Sequence, residues 1–136
     1  MNFVALDFET ATHERNSACE LGICVVENSE IVETKTWLIK PPSFPYFNPN
    51  NINIHGIYPK DVAHAPTFDE IWYEIEDLLY GNLMIAHNAS FDAGVLRSCL
   101  DYYGIFKPKT EVAVAQLPFL EILFPKHKIL TSFNHF

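Results

Sequence analysis

The sequence predicts an α/β fold: a mixed sheet, built from a three-strand antiparallel meander plus two parallel strands, with helices on its faces. Three observations lead there. Apolar and β-branched runs occupy residues 3–7, 20–26 and 31–39, with only the polar tetrad Glu27-Asn28-Ser29-Glu30 between the last two. A capped amphipathic stretch follows, and short apolar runs then alternate with helical segments. Strands joined by tight turns pair antiparallel, whereas strands separated by helices pair parallel.

Each element has its own signal. Residues 3–7 form a continuous apolar run, as a buried strand does. Residues 20–26, Glu20-Leu21-Gly22-Ile23-Cys24-Val25-Val26, predict a second strand, and 31–39 alternate moderately as a third. Pro41-Pro42 ends it, and 43–51, rich in Pro, Asn and aromatics, predict an irregular loop. Thr67 and Glu70 have the spacing of a capping box, so a helix opens there. Phe68, Ile71, Trp72, Ile75, Leu78 and Leu79 give it one apolar stripe, and Gly81 closes it. Residues 83–86 predict a short buried strand, and a helix capped by Asn88 or Ser90 runs to about Tyr103 and stops at Gly104. Residues 112–115 predict the fifth strand, 117–123 a helix, and 129–136 the beginning of another.

With 136 residues, 49% of them hydrophobic, the chain suits a single domain with a real core. No apolar run spans a bilayer, and the start lacks a signal peptide's basic and long apolar segments, so no membrane partner and a cytoplasmic setting are expected. Cys19, Cys24 and Cys99 are an odd number without metal-binding spacing, which fits reduced thiols. The net charge of −8 argues against coating nucleic acid by bulk attraction. It leaves open an enzyme whose metal ions neutralise a carboxylate site.

The most informative motif is Asp7-Phe8-Glu9-Thr10, at the end of the first strand. Residues two apart on a strand share a face, so Asp7 and Glu9 stand side by side. Such a pair repels itself unless a cation lies between its members, and a hard divalent ion takes oxygen ligands of this kind. A solvated acidic turn is the competing reading. A second acidic motif, His87-Asn88-Ala89-Ser90-Phe91-Asp92, follows the 83–86 strand and puts Asp92 in a helix's first turn. Sites in open α/β sheets gather at such strand ends. An acid there also favours the helix dipole without any functional role.

Together these motifs resemble the DEDD-type, DnaQ-like 3′–5′ exonuclease family, which includes the proofreading subunit of bacterial DNA polymerase III. Glu20-Leu21-Gly22, Asn53-Ile54-His55-Gly56-Ile57, Ala65-Pro66-Thr67-Phe68 and the 124–128 region fit the same pattern in the same order. The resemblance implies a ribonuclease-H-like fold and phosphodiester hydrolysis with two Mg²⁺ or Mn²⁺ ions. It implies Asp7, Glu9 and Asp92 as catalytic metal ligands. Thr10 would meet the terminal nucleotide, and His55, Gly56 and Ile57 would form a loop against the last base, with Ile57 an apolar wedge or ordinary packing. Asn88 would lie near the phosphate or support the site. Phe8 and Phe91 fit core positions better than contact positions. The expected partners are a single-stranded 3′ end and a DNA polymerase subunit.

The family's third motif, His-x₄-Asp or Tyr-x₃-Asp after the Asp92 helix, has no counterpart. No aspartate follows Asp101; His64–Asp69, Tyr73–Asp77 and His87–Asp92 have the spacings but come too early. The domain, 1–136, is thus expected to be C-terminally truncated, without the last helix, and impaired in turnover. Two alternatives accompany the exonuclease reading: an inactive module of the same fold that binds nucleic acid or a polymerase, and an oligoribonuclease-like enzyme on short RNA.

Overall fold

A computed structural model describes residues 2–79, 81–105 and the backbone of 114–116. Five strands form one sheet in the order β3-β2-β1-β4-β5. They are β1 (Phe3–Thr10), β2 (Ala18–Glu27), β3 (Glu30–Leu38), β4 (Met84–Ala86) and β5 (Val114–Gln116). The β1–β2 and β2–β3 pairs are antiparallel, while β1–β4 and β4–β5 are parallel. This is the expected mixed sheet. The β2–β3 turn has Asn28 at φ 52° and Ser29 at φ 64°. Positive φ at both central residues matches a hairpin's right-handed twist.

The helices are α1 (Pro49–His55), α2 (Pro59–Val62), α3 (Phe68–Leu79) and α4 (Ala89–Tyr102). The expected stripe of α3 holds: Phe68, Ile71, Ile75 and Leu79 are buried, with Trp72 and Leu78 packed beside them. Its start is capped by Glu70, whose Oε1 accepts from Thr67 N at 2.8 Å and from Thr67 Oγ1 at 2.9 Å. Val4, Leu6 and Phe8 meet α3 residues and Val95, Leu96, Cys99 and Leu100 of α4 in one core. By the alternation of a strand, Asp7 and Glu9 face the other side of the sheet.

Two expectations fail. The segment 43–51 is not wholly irregular, because α1 begins at Pro49. Asn48 caps it, its Oδ1 accepting from Asn50 N at 2.9 Å, Pro49 takes the first turn, and Gly56 ends it at φ 71°. The helix buries no residue, so no apolar stripe announced it. The first strand also does not stop at Asp7; it runs on to Thr10 because β2 pairs with it through Glu20 and Ala18. The helices expected at 117–123 and 129–136 lie outside the described residues.

Candidate active site

Asp7 and Glu9 sit within β1, opposite Gly22 and Glu20 of β2. Both carboxylates are buried, at 4% and 3% exposure, on a sheet face whose neighbouring residues Phe3 and Ala5 are buried as well. Immediately after Glu9 the register shifts, with Thr10 opposite Ala18, so Cys19 is the extra residue of a bulge. Bulges re-aim side chains and often border functional sites.

Asp92 reaches this strand from α4. Val4 N donates to Leu83 O at 2.8 Å, so the even-numbered N–H groups of β1 face β4. Strand β4 ends at Ala86, and at Phe8 the missing ladder partner is a side chain: Asp92 Oδ1 accepts from Phe8 N at 2.9 Å. Asp92 is 2% exposed. Its carboxyl therefore lies against the backbone of the residue between Asp7 and Glu9.

The electrostatics follow from the burial. Removal from water, then the charges of Glu20 and Asp92, push Glu9 up from 4.5 to about 8. Removal from water pushes Asp92 up from 3.8 to about 7, although the Phe8 N–H pulls it down. Glu9 Oε1 is buried with no hydrogen-bond partner among the described residues. Among these residues no three or more His, Cys, Asp and Glu side chains form a closed metal-binding cluster. The structure places Asp92 beside the strand segment that carries Asp7 and Glu9, through the bond to Phe8 N.

The end of β1 is clamped by α1. His55 Nδ1 accepts from Ile57 N at 2.9 Å, which leaves Nε2 to donate to Thr10 O at 2.9 Å. Asn51 Nδ2 donates to Thr10 O at 3.0 Å and to Thr12 O at 3.2 Å. Glu9, Thr10, Asn51, Ile54, His55 and Phe91 line a cavity of about 110 Å³. Ile57 is 8% exposed and packs with Ala11, Cys19, Phe47 and Val62, so it is packing under the loop and not a projecting wedge. Gly56 caps α1 on the surface, and half-buried Asn88 caps α4 through its carbonyl, which accepts from Asp92 N at 3.0 Å. Phe8 is core as expected, whereas Phe91 also reaches the cavity wall. A wider groove of about 560 Å³ runs beside β3, but no residue of this site lines it. Replacing His55 with Ala removes both clamp bonds; thermal melts are expected to show a loss of about 1–3 kcal/mol.

The family model described as exonuclease matches residues 4–126. The chain belongs to the exonuclease family. Family members similar to it include DNA polymerase III subunit epsilon of Pasteurella multocida, 28% identical over 100 residues, covering 68% of this chain and 39% of that one. The 3′–5′ exonuclease DinG of Bacillus subtilis is 29% identical over 127 residues, covering 90% of this chain and 13% of its own. This exonuclease-family chain thus spans well under half the length of either relative. Among solved structures, exonuclease X in complex with 5′ overhanging duplex DNA superposes with a TM-score of 0.61 at 23% identity, covering 93% of this chain and 67% of that one. Product-bound exonuclease I superposes with a TM-score of 0.70 at 18% identity, covering 90% and 30%. These likenesses give the chain the fold of those exonucleases.

Three contributors escaped the sequence reading. Asn51 lies in the unforeseen helix, and the signal that could have placed it was Asn48-Pro49 followed by Gly56. Phe91 packs against the core as expected, and its place in the cavity wall depends on how α4 docks. Glu20 was read as part of a motif, but its position opposite Glu9 depends on strand register.

The three cysteines are buried and free. Burial pushes Cys24 up to about 11 and Cys99 to about 12, with Cys19 higher still, so none is an activated nucleophile. No helix among the described residues is long and apolar enough to cross a membrane.

Proposed function

We propose that this chain is a 3′–5′ exonuclease domain that removes nucleotides from the 3′ end of DNA with the help of two divalent cations. One observation carries the proposal: the carboxyl of Asp92 bonds the Phe8 backbone, between Asp7 and Glu9. That bond holds the Asp92 carboxyl against the strand that carries the first acidic motif, and Glu9 Oε1 is buried without a hydrogen-bond partner among the described residues. Oxygen-only donors of this kind fit Mg²⁺ or Mn²⁺. Asp7, Glu9 and Asp92 would hold the ions. Bound there, two such ions would activate a water and neutralise charge on the leaving 3′ oxygen.

The remaining roles belong to protein groups around the cavity. Thr10, held by Asn51 and His55, gives the terminal nucleotide a fixed edge. Ile54 and Phe91 supply apolar wall for a base or sugar. Asn88 stands at the start of α4, where helix N–H groups favour a phosphate. His55 already uses both ring nitrogens in the clamp, so it holds the loop instead of moving protons. From the names of the relatives, a polymerase subunit is proposed as a second partner.

The alternative reading is a binding module of the same fold. Within these 136 residues no His-x₄-Asp or Tyr-x₃-Asp pair follows Asp92. A general base is typically worth about 10²–10⁴-fold in rate, so the turnover of these 136 residues is the quantity that separates the two readings. The test is single-turnover cleavage of 5′-labelled single-stranded DNA, duplex ends and RNA dinucleotides in Mg²⁺ or Mn²⁺. Stepwise shortening from the 3′ end that Asp7→Ala abolishes supports the exonuclease. Metal-dependent retention of the strand without shortening favours the binding module, and preference for dinucleotides favours an oligoribonuclease-like enzyme.

A further inference from the structure

We propose that Glu20 is a further acidic residue of this site, acting on the bound cation from across the β1–β2 pair. The inference rests on the metal-dependent reading above and adds a residue that neither acidic motif contains. Glu20 stands directly opposite Glu9 in the antiparallel register. Directly opposed side chains share a face, with Cβ atoms roughly 4.5–5.5 Å apart. Glu20 is also diagonal to Asp7, whose own opposite residue is Gly22 and carries no side chain. Glu20 is therefore the acidic side chain of β2 nearest to both β1 carboxylates.

Like charges placed directly opposite destabilise a strand pair. Here the cost is heightened because Glu9 is 3% exposed and its Oε1 lacks a hydrogen-bond partner among the described residues. A divalent cation against Asp7 and Glu9 turns this repulsion into attraction. Glu20 then serves as a positioning residue: it adds negative potential behind Glu9 and strengthens the hold on the ion. It contributes a further acid to the sheet face that carries Asp7 and Glu9.

The experiment uses Mn²⁺ alone as the probe, with free ion followed by electron paramagnetic resonance, on the parent chain, Glu20→Gln and Glu20→Asp. Glu20→Gln is expected to weaken Mn²⁺ binding on the order of tenfold, the effect of one unit charge nearby at intermediate dielectric. Its metal-free melting temperature is expected to rise, because the opposed charge is gone. Glu20→Asp keeps the charge and is expected to keep most of the affinity. Parent-like binding by Glu20→Gln overturns the inference and leaves the nuclease reading standing. Equal losses in both variants also overturn it, since the side chain's size and not its charge would then matter. A parent chain that binds no Mn²⁺ sinks the metal-dependent reading itself, and this inference with it.

Discussion

Replacing Asp92 with Asn is expected to leave the metal-free fold intact at pH 8 while removing most of its divalent-cation affinity. The two effects separate because Asp92 has two roles. Its Oδ1 is the acceptor for Phe8 N at the point where β4 no longer supplies one. Asparagine retains a carbonyl oxygen in that place. It also deletes a buried carboxyl whose pKa is already pushed up to about 7, so the cost of ionising it at pH 8 disappears. Asp92→Ala is the contrasting variant. It leaves the Phe8 N–H buried and unpaired, a loss of about 1–3 kcal/mol. In thermal melts with chelator, the expected order at pH 8 is Asn at or above the parent, with Ala clearly below. In Mn²⁺ titrations both variants are expected to bind at least roughly tenfold more weakly, as a site losing one of its charged oxygen ligands does. If Asn melted as low as Ala, the bond to Phe8 would not be what Asp92 contributes to folding.

The second large effect concerns pH. Glu9 is raised from 4.5 to about 8 and Asp92 from 3.8 to about 7. A carboxyl with a raised folded-state pKa binds its proton more tightly in the folded chain than in the unfolded one. The stability this confers is fully present below pH 3.8–4.5 and is lost as pH rises through 7 and 8. The chelated protein is therefore expected to lose melting temperature from pH 5 to pH 8, by roughly 10 °C. Saturating Mg²⁺ or Mn²⁺ is expected to reverse the trend. The ion binds the deprotonated groups, so its affinity and the stability it adds both grow with pH. Glu9→Gln removes the larger titration and flattens the chelated profile. Superimposable profiles with and without cation would show that the buried acids do not hold one.

Much of the sheet was legible because its signals are local. The runs that became β1, β2 and β3, the polar tetrad at the hairpin, and the capping box and stripe of α3 each depend on residues within one turn or a few strand positions. Helix α1 is hidden because it buries nothing and its residues are Asn, Ile, Pro and His. Its only markers are its caps. The full extent of β1 is not legible in the sequence because Asp7 and Glu9 resemble the polar end of a strand. The partner strand β2 extends the ladder past them.

Residue types and short spacings single out the acids proposed to carry the chemistry: Asp7 and Glu9 two apart on a strand, and Asp92 in the first turn of a helix after another strand. They also implied a mixed sheet, since turn length and intervening helices govern strand direction. The rest required contacts between distant positions. Asp92 meets Phe8 across 84 residues, and His55 meets Thr10 across 45. Glu9 faces Glu20 only in one register, and a slip of one residue would turn Glu20 to the opposite face. Periodicity shows which side of an element is apolar, but register and helix docking decide which buried groups become neighbours. Those choices are made by packing the whole core, which no local window contains.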